Sequence, residues 1–586
     1  MIADFSTIGS FAFAALTVAI LAPFAGRLAT QVGMVSPPRA DRWGSRPTPL
    51  LGGVAIVLAI LVASIGLVTE WWPFLAVVGA TVAAFVLGLV DDARGLRPTS
   101  KLVGQIIIGS ALALAGVRVE LIALTPIAFI ATLIWVVLIM NAVNLMDNMD
   151  GLAAGVVGIA AAVLVVMAGE QSRWIAITAA ATAGACAGFL VHNFAPARIY
   201  MGDAGSMALG VLLASLTLLL TNQVASSVGL TVLAPLVALG LPIFDTVLVA
   251  VVRRLEGRPV SQGGRDHTSH RLAALGLSER VTVLILYFVA AAFASLGLVA
   301  NALGLAFLPL AALSLIALVL FAIFLVENPL DAAVDGARGR ASFIGSGRAL
   351  VRYGGEIALD VALAVIALLS SYLIRFESFG TSVSLPLFIV ALPVVVPIQL
   401  AAFVVLGLYR ILWRYLAVVD MLVIVRASFF GTVVAAGLVL ALQAERGQSR
   451  AVFLIDFIML SLLVAGSRMF LVSMRHWFGM QGRTLGRSVV IVGANETGAM
   501  ALRLLLRSVD PKYRPAGFLD DDPGKQRRRI GGVPVLGRLT DLVSVVERER
   551  VEVIVLALED GFERESQIRL ECQELGLELR QLLATL

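Results

Sequence analysis

Charged side chains are scarce in this sequence. They make up 14% of its 586 residues, whereas apolar side chains make up 59%. A soluble chain of this length could not cover its surface with so little charge, so the composition excludes an ordinary soluble protein. The mean hydropathy of +0.96 has the same implication. We therefore expect most of the chain to be embedded in a membrane.

Cysteine is also nearly absent. Cys186 and Cys572 are far apart in the sequence, so they predict neither a disulfide framework nor a cysteine-ligated metal. The formal net charge of +5 is modest, and we expect no nucleic-acid partner. The first apolar run is too long, and follows too few basic residues, to predict a cleaved signal peptide.

Apolar runs near the membrane-spanning length of ~20 residues dominate the sequence. They begin at about residues 8, 50, 73, 102, 121, 152, 175, 206, 228, 281 and 304, and again at about 357, 385, 421 and 453. We predict a polytopic α-helical membrane protein with about fifteen transmembrane helices. Its predicted parts are an eleven-helix membrane domain at 1–330, a polar cytoplasmic connector at 331–356 and a four-helix membrane domain at 357–481.

The segment 482–586 has a different composition, with frequent charges and apolar runs of strand length. Its start predicts a strand, a glycine-rich turn and a helix, which is typical of a cytoplasmic Rossmann-like α/β domain. Gly493 and Gly498 fit a nucleotide-binding turn, but Asn495 replaces the middle glycine, and Asp520 could end a second strand. Nucleotide binding by Gly493, Gly498 and Asp520 and a purely structural domain both remain open.

Basic residues predict the orientation of the membrane part. Alternate loops on one side carry most of the arginines, among them Arg94, Arg97, Arg253 and Arg258, whereas the other side carries few. The positive-inside rule makes the basic side cytoplasmic. We therefore expect a multi-pass plasma-membrane protein whose N-terminus is outside and whose C-terminal domain is in the cytoplasm.

Five polar motifs lie in or beside the predicted cytoplasmic loops. They are SRPTPLLGG (45–53), VDDARGLRPTSK (90–101), NAVNLMDNMDG (141–151), HNFAPARIYMGDAGS (192–206) and RDHTSHRL (265–272). Polar loops are common, but that explanation predicts similar residues in the outer loops, which are short and lack such motifs. Ionisable residues at a membrane face therefore indicate a functional site.

The residue types in these motifs suit phosphate chemistry. Carboxylates supply the oxygen ligands that Mg²⁺ prefers, and the candidates are Asp91, Asp92, Asp147, Asp150 and Asp203. Donors for phosphate oxygens are His267, His270 and Arg271. The two histidines could also form half of a zinc site, although phosphate contact is favoured. A divalent cation and arginines would offset the repulsion between a water-soluble phosphate compound and a lipid phosphate.

These motifs, in this order and approximate spacing, resemble the polyprenyl-phosphate N-acetylhexosamine-1-phosphate transferases. The resemblance covers about residues 1–330 and implies transfer of a sugar-1-phosphate from a UDP-N-acetylhexosamine to undecaprenyl phosphate, the first step of lipid-linked cell-envelope polysaccharide synthesis. It implies Mg²⁺ as the cofactor, with Mn²⁺ as an alternative. A membrane transporter or sensor of anionic nucleotide-sugars without transferase activity is the competing hypothesis. A homodimer remains open.

The resemblance also implies roles for individual residues. Asp203 is the expected Mg²⁺ ligand. Asp91 and Asp92 resemble a pair assigned to lipid-phosphate activation or metal contact, and Asp92 is a second candidate ligand. The residues expected to bind the nucleotide or the sugar phosphate are Asn144, Asp147, Asp150, Asn193, His267, His270 and Arg271. The last motif reads HTSHRL rather than three consecutive histidines, which favours N-acetylglucosamine over the muramyl-pentapeptide branch.

The C-terminal half resembles the front part of membrane-bound nucleotide-sugar dehydratases and epimerases of polysaccharide synthesis. Residues 482–586 do not resemble the larger dehydrogenase-like domain of those proteins, which carries a Tyr-x-x-x-Lys pair. We therefore expect no second sugar reaction and favour a regulatory or scaffolding role.

Overall fold

The computed structural model describes most of the chain. It covers residues 5–37, 47–65, 70–119, 125–169, 172–224, 236–255, 257–259, 264, 266–303, 307–327, 341–376, 384–411, 418–442, 449–481, 487–507, 513–526, 528–557 and 565–581. Some predictions fall outside these residues: positions 45–46 and Arg265 of two motifs, the apolar run beginning near 228, residues 331–340 of the connector, and the domain boundary at 482.

One compact unit, Met1–Leu272 with Ser278–Val472, is built from helices. In chain order these helices are α1 (Phe5–Gln31), α2 (Gly52–Ile65), α3 (Trp71–Arg94), α4 (Pro98–Leu114), α5 (Thr125–Met146), α6 (Leu152–Ala168), α7 (Arg173–Asn193), α8 (Gly202–Val224), α9 (Gly240–Leu255), α10 (Thr268–Ala274), α11 (Glu279–Leu303), α12 (Phe307–Glu327), α13 (Ala341–Arg375), α14 (Ser384–Val405), α15 (Val418–Leu442) and α16 (Arg450–Gln481). A short antiparallel pair, β1 (Val35–Ser36) and β2 (Thr48–Pro49), lies between α1 and α2.

Length and composition make this a multi-pass membrane protein. Among the described residues, 10 helices are long and apolar enough to cross a bilayer, namely α1, α3, α5, α7, α8, α11 and α13 to α16. Shorter apolar helices of 10–17 residues correspond to α2, α4, α6 and the central part of α12. The predicted total of about fifteen crossings stays a prediction.

Helices α7 and α8 lie at the centre of the N-terminal helical packing. In their apolar stretches, 83% and 89% of the residues are buried inside the protein. Two glycines let α1 approach α7 closely, because a Cβ at Gly184 would lie 2.1 Å from the carbonyl oxygen of Phe11. A Cβ at Gly188 would lie 2.1 Å from that of Ala15. This spacing of small residues is typical of tightly packed transmembrane helices.

The second unit, Ser473–Leu586 with Ala273–Leu277, contains a six-stranded sheet. Its strands and helices are β3 (Arg487–Val492), α17 (Glu496–Arg507), β4 (Tyr513–Leu519), β5 (Arg529–Ile530), β6 (Val533–Gly537), α18 (Leu542–Glu549), β7 (Val553–Leu556), α19 (Glu565–Glu574) and β8 (Glu578–Gln581). The order β5-β6-β4-β3-β7-β8 is parallel except for the pair β5/β6.

The apolar run of β3 explains why this sheet is buried on both faces. Val490 and Val492 belong to one core cluster, and Val489 and Ile491 belong to another. Side chains alternate between the two faces of a strand, so a continuous apolar run predicts a strand covered on both sides. The structure thus has the parallel α/β sheet expected from the sequence, while its cytoplasmic location stays a prediction.

Candidate active site

The motif VDDARGLRPTSK (90–101) forms a tight turn between α3 and α4. Helix α3 ends at Arg94 because Gly95 adopts a left-handed conformation, with φ +64°, and donates its N–H to the carbonyl of Asp91 at 2.8 Å. Pro98 then begins α4, a position where its missing N–H costs no hydrogen bond. The turn brings Lys101, in the first turn of α4, back to the carboxylate of Asp91.

Lys101 is the centre of a polar cluster to which four helices contribute. Its Nζ lies 2.9 Å from Asp91 Oδ2 and 3.0 Å from Asn144 Oδ1, and it forms a salt bridge with Asp203 Oδ2. The amide of Asn144 also donates to Asp203 Oδ1 at 3.0 Å and to Ser206 Oγ at 2.9 Å. The ends of α3, α4, α5 and α8 therefore meet at one cationic atom.

Asp92 has a different task in this structure. Its Oδ1 accepts the backbone N–H of Asp203 at 2.9 Å, and its Oδ2 accepts that of Ala204 at 3.0 Å. A carboxylate at a helix N-terminus pairs with free N–H groups and with the positive end of the helix dipole. Asp92 thus caps α8 and holds it against α3. Its predicted role as a metal ligand stays a prediction.

A glycine makes this capping contact sterically feasible. A Cβ at Gly88 would lie 2.3 Å from the carbonyl oxygen of Asp203, closer than side chains tolerate. Gly88 is on α3, one helical turn before Asp92, so it sets the distance between α3 and the start of α8. The position of Asp203 therefore depends on a glycine at position 88.

The oxygens around Lys101 form a donor set that fits a hard cation. Asp91 Oδ2, Asn144 Oδ1 and Asp203 Oδ2 converge on the ammonium group from three helices. Two carboxylates with an amide oxygen are what Mg²⁺ commonly takes from a protein, the rest coming from water and substrate phosphates. Among the described residues, no group of three or more His, Cys, Asp or Glu side chains is arranged to hold a metal by itself.

Asn193 and Asp150 connect two of the polar motifs. Asn193 Oδ1 accepts the N–H of Gly151 at 3.1 Å, and its Nδ2 donates to the carbonyl of Ile199 at 2.9 Å. Asp150 Oδ2 accepts the N–H of Ala197 at 2.7 Å. Both side chains are buried and bond to backbone groups, which indicates that they position the 192–206 loop. Their predicted contacts with substrate stay predictions.

The turn after α5 also contacts the last polar motif. Asn148 Oδ1 accepts a hydrogen bond of 2.6 Å from the hydroxyl of Ser269, and its Nδ2 donates to the carbonyl of Leu145. Asp147, half-buried in the same turn, donates its N–H to the carbonyl of Asn144 at 3.3 Å. Segment 144–150 thus connects the cluster around Lys101 with the histidine motif, while the nucleotide role of Asp147 stays a prediction.

Asp245 organises the histidine motif. Its Oδ2 lies 2.8 Å from His267 Nδ1, and its Oδ1 accepts the backbone N–H of Thr268 at 2.7 Å, where α10 begins. The ring centroids of His267 and His270 are 6.3 Å apart, and both rings are buried. Asp245 therefore orients His267 and caps the short helix that carries His270.

Arg271 and Asp266 hold the two ends of this motif in place. Arg271 donates through Nε to the carbonyl of Asp266 at 2.8 Å and through Nη1 to that of Leu325 at 3.3 Å. The carboxylate of Asp266 forms 2.9 Å ion pairs with Arg253 and Arg258. Burial alone would raise the pKa of Asp266, but these arginines hold that pKa below its ordinary value. The phosphate contact predicted for Arg271 stays a prediction.

The glycine-rich turn of the second unit is occupied by side chains of the same chain. Gly493 has φ +107°, and a Cβ at Gly498 would lie 1.9 Å from the carbonyl oxygen of Gly493, so both positions require glycine. Asn495 Oδ1 accepts the N–H of Gly498 at 2.8 Å, and Asp520 Oδ2 accepts that of Ala494 at 2.7 Å. These contacts favour the structural alternative, and nucleotide binding stays a prediction.

Two residues of the site were missed by the sequence interpretation. Lys101 ends the motif VDDARGLRPTSK, and its position ten residues after Asp91, across a Gly-x-x-Pro turn, is a signal for a helical hairpin. Asp245 is a carboxylate inside an apolar run, but its partners depend on tertiary packing. No local pattern identifies them.

Comparison with known proteins shows the family to which the chain belongs. Residues 74–221 match the family described as Glycosyl transferase family 4. The chain is 33% identical, over 48% of its length and 81% of the relative, to a probable undecaprenyl-phosphate N-acetylglucosaminyl 1-phosphate transferase of Bacillus subtilis (strain 168). The chain belongs to the polyprenyl-phosphate sugar-phosphate transferases.

Other relatives of this transferase come from both branches of the family. A decaprenyl-phosphate N-acetylglucosaminephosphotransferase of Mycobacterium tuberculosis (strain ATCC 25618 / H37Rv) is 31% identical over 47% of this chain and 79% of that protein. A phospho-N-acetylmuramoyl-pentapeptide-transferase of Desulforudis audaxviator is 33% identical over 43% of this chain and 84% of that protein.

The C-terminal part of the transferase matches a different family. Residues 404–575 match a family described as a CoA-binding domain. This match is consistent with the predicted fusion of a transferase to a second, polysaccharide-biosynthesis type of region.

Proposed function

We propose that this transferase moves N-acetylglucosamine-1-phosphate from a UDP-sugar to undecaprenyl phosphate. The products are undecaprenyl-diphospho-sugar and UMP, and the reaction begins lipid-linked cell-envelope polysaccharide synthesis. The observation that carries the proposal is the convergence of Asp91, Asp203 and Asn144 on the ammonium of Lys101 at the ends of four helices. Such a site can hold positive charge where two anionic phosphates must meet.

A divalent cation fits the same oxygens. Asp203 and Asn144 would hold Mg²⁺, or Mn²⁺, after Lys101 moves aside, which leaves the carboxylate of Asp91 free, and the ion when bound would neutralise charge on the donor diphosphate. Lys101 then remains within reach of a phosphate oxygen as a second positive charge. Asp92 keeps Asp203 in place through its contacts with the start of α8.

Asp91 is the proposed base for the lipid phosphate. It lies at the end of α3, where an acceptor phosphate at headgroup level can approach. A deprotonated lipid phosphate is a competent nucleophile, so no nucleophile from the protein is required. The proposed route is therefore a single displacement at the β-phosphorus of the UDP-sugar, with the proton of the acceptor passing to Asp91.

The histidine motif is the proposed site for the donor. Asp245 holds His267 through Nδ1, which leaves Nε2 as the ring nitrogen available to a phosphate or sugar oxygen. The sequence HTSH, in place of three consecutive histidines, supports N-acetylglucosamine as the sugar. The basic loops support a cytoplasmic site, where UDP-sugars are made.

A transfer assay with the purified full-length protein tests the proposal. UDP-N-acetylglucosamine, UDP-N-acetylgalactosamine and UDP-MurNAc-pentapeptide would each be offered with undecaprenyl phosphate and Mg²⁺, and UMP and lipid product measured. We expect turnover with UDP-N-acetylglucosamine, its loss in EDTA and its return with Mg²⁺ or Mn²⁺. Asp203→Asn should abolish it, whereas Asp522→Asn, a matched change in the second unit, should not. Full activity in EDTA would reject the metal-dependent site.

A further inference from the structure

Three polar side chains meet inside the four-helix region, far from the transferase motifs in sequence. Gln399 on α14 donates through Nε2 to Thr432 Oγ1 on α15 at 3.0 Å and to Asp456 Oδ2 on α16. The Thr432 hydroxyl donates to the same carboxylate oxygen at 3.3 Å. Gln399 and Asp456 are 0% exposed and Thr432 is 3% exposed.

The triad lies well inside the apolar segments. Thr432 is near the middle of α15, and the candidate spans that carry the triad are Leu385–Val405, Asp420–Leu442 and Arg450–Met474. An ionisable side chain at such a depth is costly to bury, and its presence indicates a function by default.

Two oxygen atoms of the triad have no hydrogen-bond donor. Asp456 Oδ1 and Gln399 Oε1 are both buried and without a partner in the structure. When the carboxyl group is ionised, both oxygens can only accept a hydrogen bond, and the triad has no hydrogen left to place between them. A proton on Asp456 Oδ1 supplies that hydrogen and removes the buried charge at the same time.

The charged and titratable groups around the triad are already accounted for. Helix α14 has no Asp, Glu, Lys, Arg or His. On the other helices and on the short turn Leu408–Arg410, the described side chains of this kind are Asp420, Arg426, Arg450, Arg468, Glu356, Asp360, Arg375, Tyr372, Tyr409 and Arg410. Arg468, twelve residues after Asp456, pairs with Asp360 at 2.8 Å, and Arg426 is on an exposed face. No ion pair to Asp456 occurs among the described residues.

We propose that Asp456 is an intramembrane proton-binding site, in which a proton on Oδ1 supplies the hydrogen that the triad lacks. The neutral acid joins α14, α15 and α16. Loss of the proton leaves a carboxylate with two neutral donors in an apolar surrounding, which weakens that junction. The proton occupancy of one residue thus sets the packing of three helices, all of them outside the residues 74–221 that match the transferase family.

Infrared spectroscopy of the full-length protein in lipid nanodiscs tests this site, using choline as the only added cation. We expect a protonated-carboxyl carbonyl band at neutral pH in the wild type and in Asp360→Asn, but not in Asp456→Asn. Thr432→Val should shift the band without removing it, since the acid loses one hydrogen bond. This variant keeps the test decisive if Asp456→Asn does not fold.

Two results would overturn the proposal. If Asp456→Asn removes an ionised-carboxylate band instead, Asp456 does not carry a proton. If Na⁺ or K⁺ removes the acid band at constant pH, the two oxygens bind a monovalent cation rather than a proton.

Discussion

At the scale of single residues, Lys101 is the side chain on which the transferase site depends most directly. Its ammonium pairs with both Asp91 and Asp203, and Asn144 completes the contact. Without it, two carboxylates face each other with no positive charge between them, and a phosphate loses a cationic partner.

We expect Lys101→Met to lower the transfer rate by about 10²–10³-fold, the usual cost of removing one group that stabilises transition-state charge. Methionine keeps an unbranched side chain of nearly the same length and removes the ammonium group, with its charge and its N–H donors. Lys525→Met, which removes a lysine paired with Asp520 in the second unit, serves as the control. A wild-type rate for Lys101→Met would show that the lysine is only a counter-ion.

Substitutions at Asp92 and Asp203 are expected to change different properties, stability at Asp92 and activity at Asp203. Asparagine at position 92 keeps one acceptor oxygen but directs an N–H₂ group at a backbone N–H, so one of the two hydrogen bonds that cap α8 is lost. We expect Asp92→Asn to destabilise the protein by about 1 kcal/mol and to reduce activity. Asp203→Asn should lose activity with little change in thermal midpoint. Equal midpoints for both variants, measured in the same detergent, would contradict the capping role.

At the scale of elements, helix positions were predictable and helix contacts were not. The apolar run predicted from about residue 152 begins at Leu152, where α6 begins. Such runs can be recognised in the sequence because the bilayer sets the length of an apolar run. The contact of Lys101 with Asp91 depends instead on the backbone of Gly95, and that of Asp245 with His267 on how α9 packs. The hydropathy pattern does not indicate either contact. For the site, therefore, the sequence predicts the polar motifs but not the contacts between them.

Two glycines on α3 provide a matched test of how α3 and α8 are spaced. A Cβ at Gly88 would collide with the backbone of Asp203, whereas one at Gly79 meets nothing within 4 Å. We expect Gly88→Ala to destabilise the protein by about 1–3 kcal/mol and to displace Asp203, so activity falls. Gly79→Ala should keep wild-type activity and thermal midpoint. If both variants have the same activity and thermal midpoint, the close approach of α3 and α8 is not needed for activity.

The turn between β3 and α17 should be sensitive to acid. Burial would raise the pKa of Asp520, but hydrogen bonds from the N–H groups of Asp522 and Ala494, and from Lys525, hold that pKa below its ordinary value. The stability it contributes is therefore present above the unfolded pKa of ~3.9 and lost as pH falls through the lower folded value.

Hydrogen exchange at the turn, measured by mass spectrometry, checks this expectation. Exchange of peptides containing Ala494, corrected for the intrinsic rate, should accelerate below about pH 4 in the wild type. Asp520→Asn should show fast exchange already at neutral pH, with little further change on acidification. An unchanged profile in this variant would mean that Asp520 does not hold the turn.

At the scale of the whole molecule, the membrane orientation decides which substrates can reach the site. Multi-pass insertion follows from the helices, but orientation rests on the arginine distribution alone. The two native cysteines, Cys186 and Cys572, are both buried, so they leave a low background for labelling of introduced cysteines.

Helix α3 is the most informative span for testing orientation, because its C-terminal end carries Asp91 of the site and its N-terminal end lies at the opposite end of the span. Glu70 immediately precedes α3, Arg97 lies three residues beyond its end, and both residues are exposed. We expect a membrane-impermeant maleimide to label Glu70→Cys in intact cells and Arg97→Cys only after the membrane is opened. The reason is that Arg97 belongs to the same turn as Asp91 and Lys101, where a cytoplasmic UDP-sugar must bind. Labelling of Arg97→Cys from outside would place the Lys101 cluster on the wrong face and remove the basis for a UDP-sugar donor.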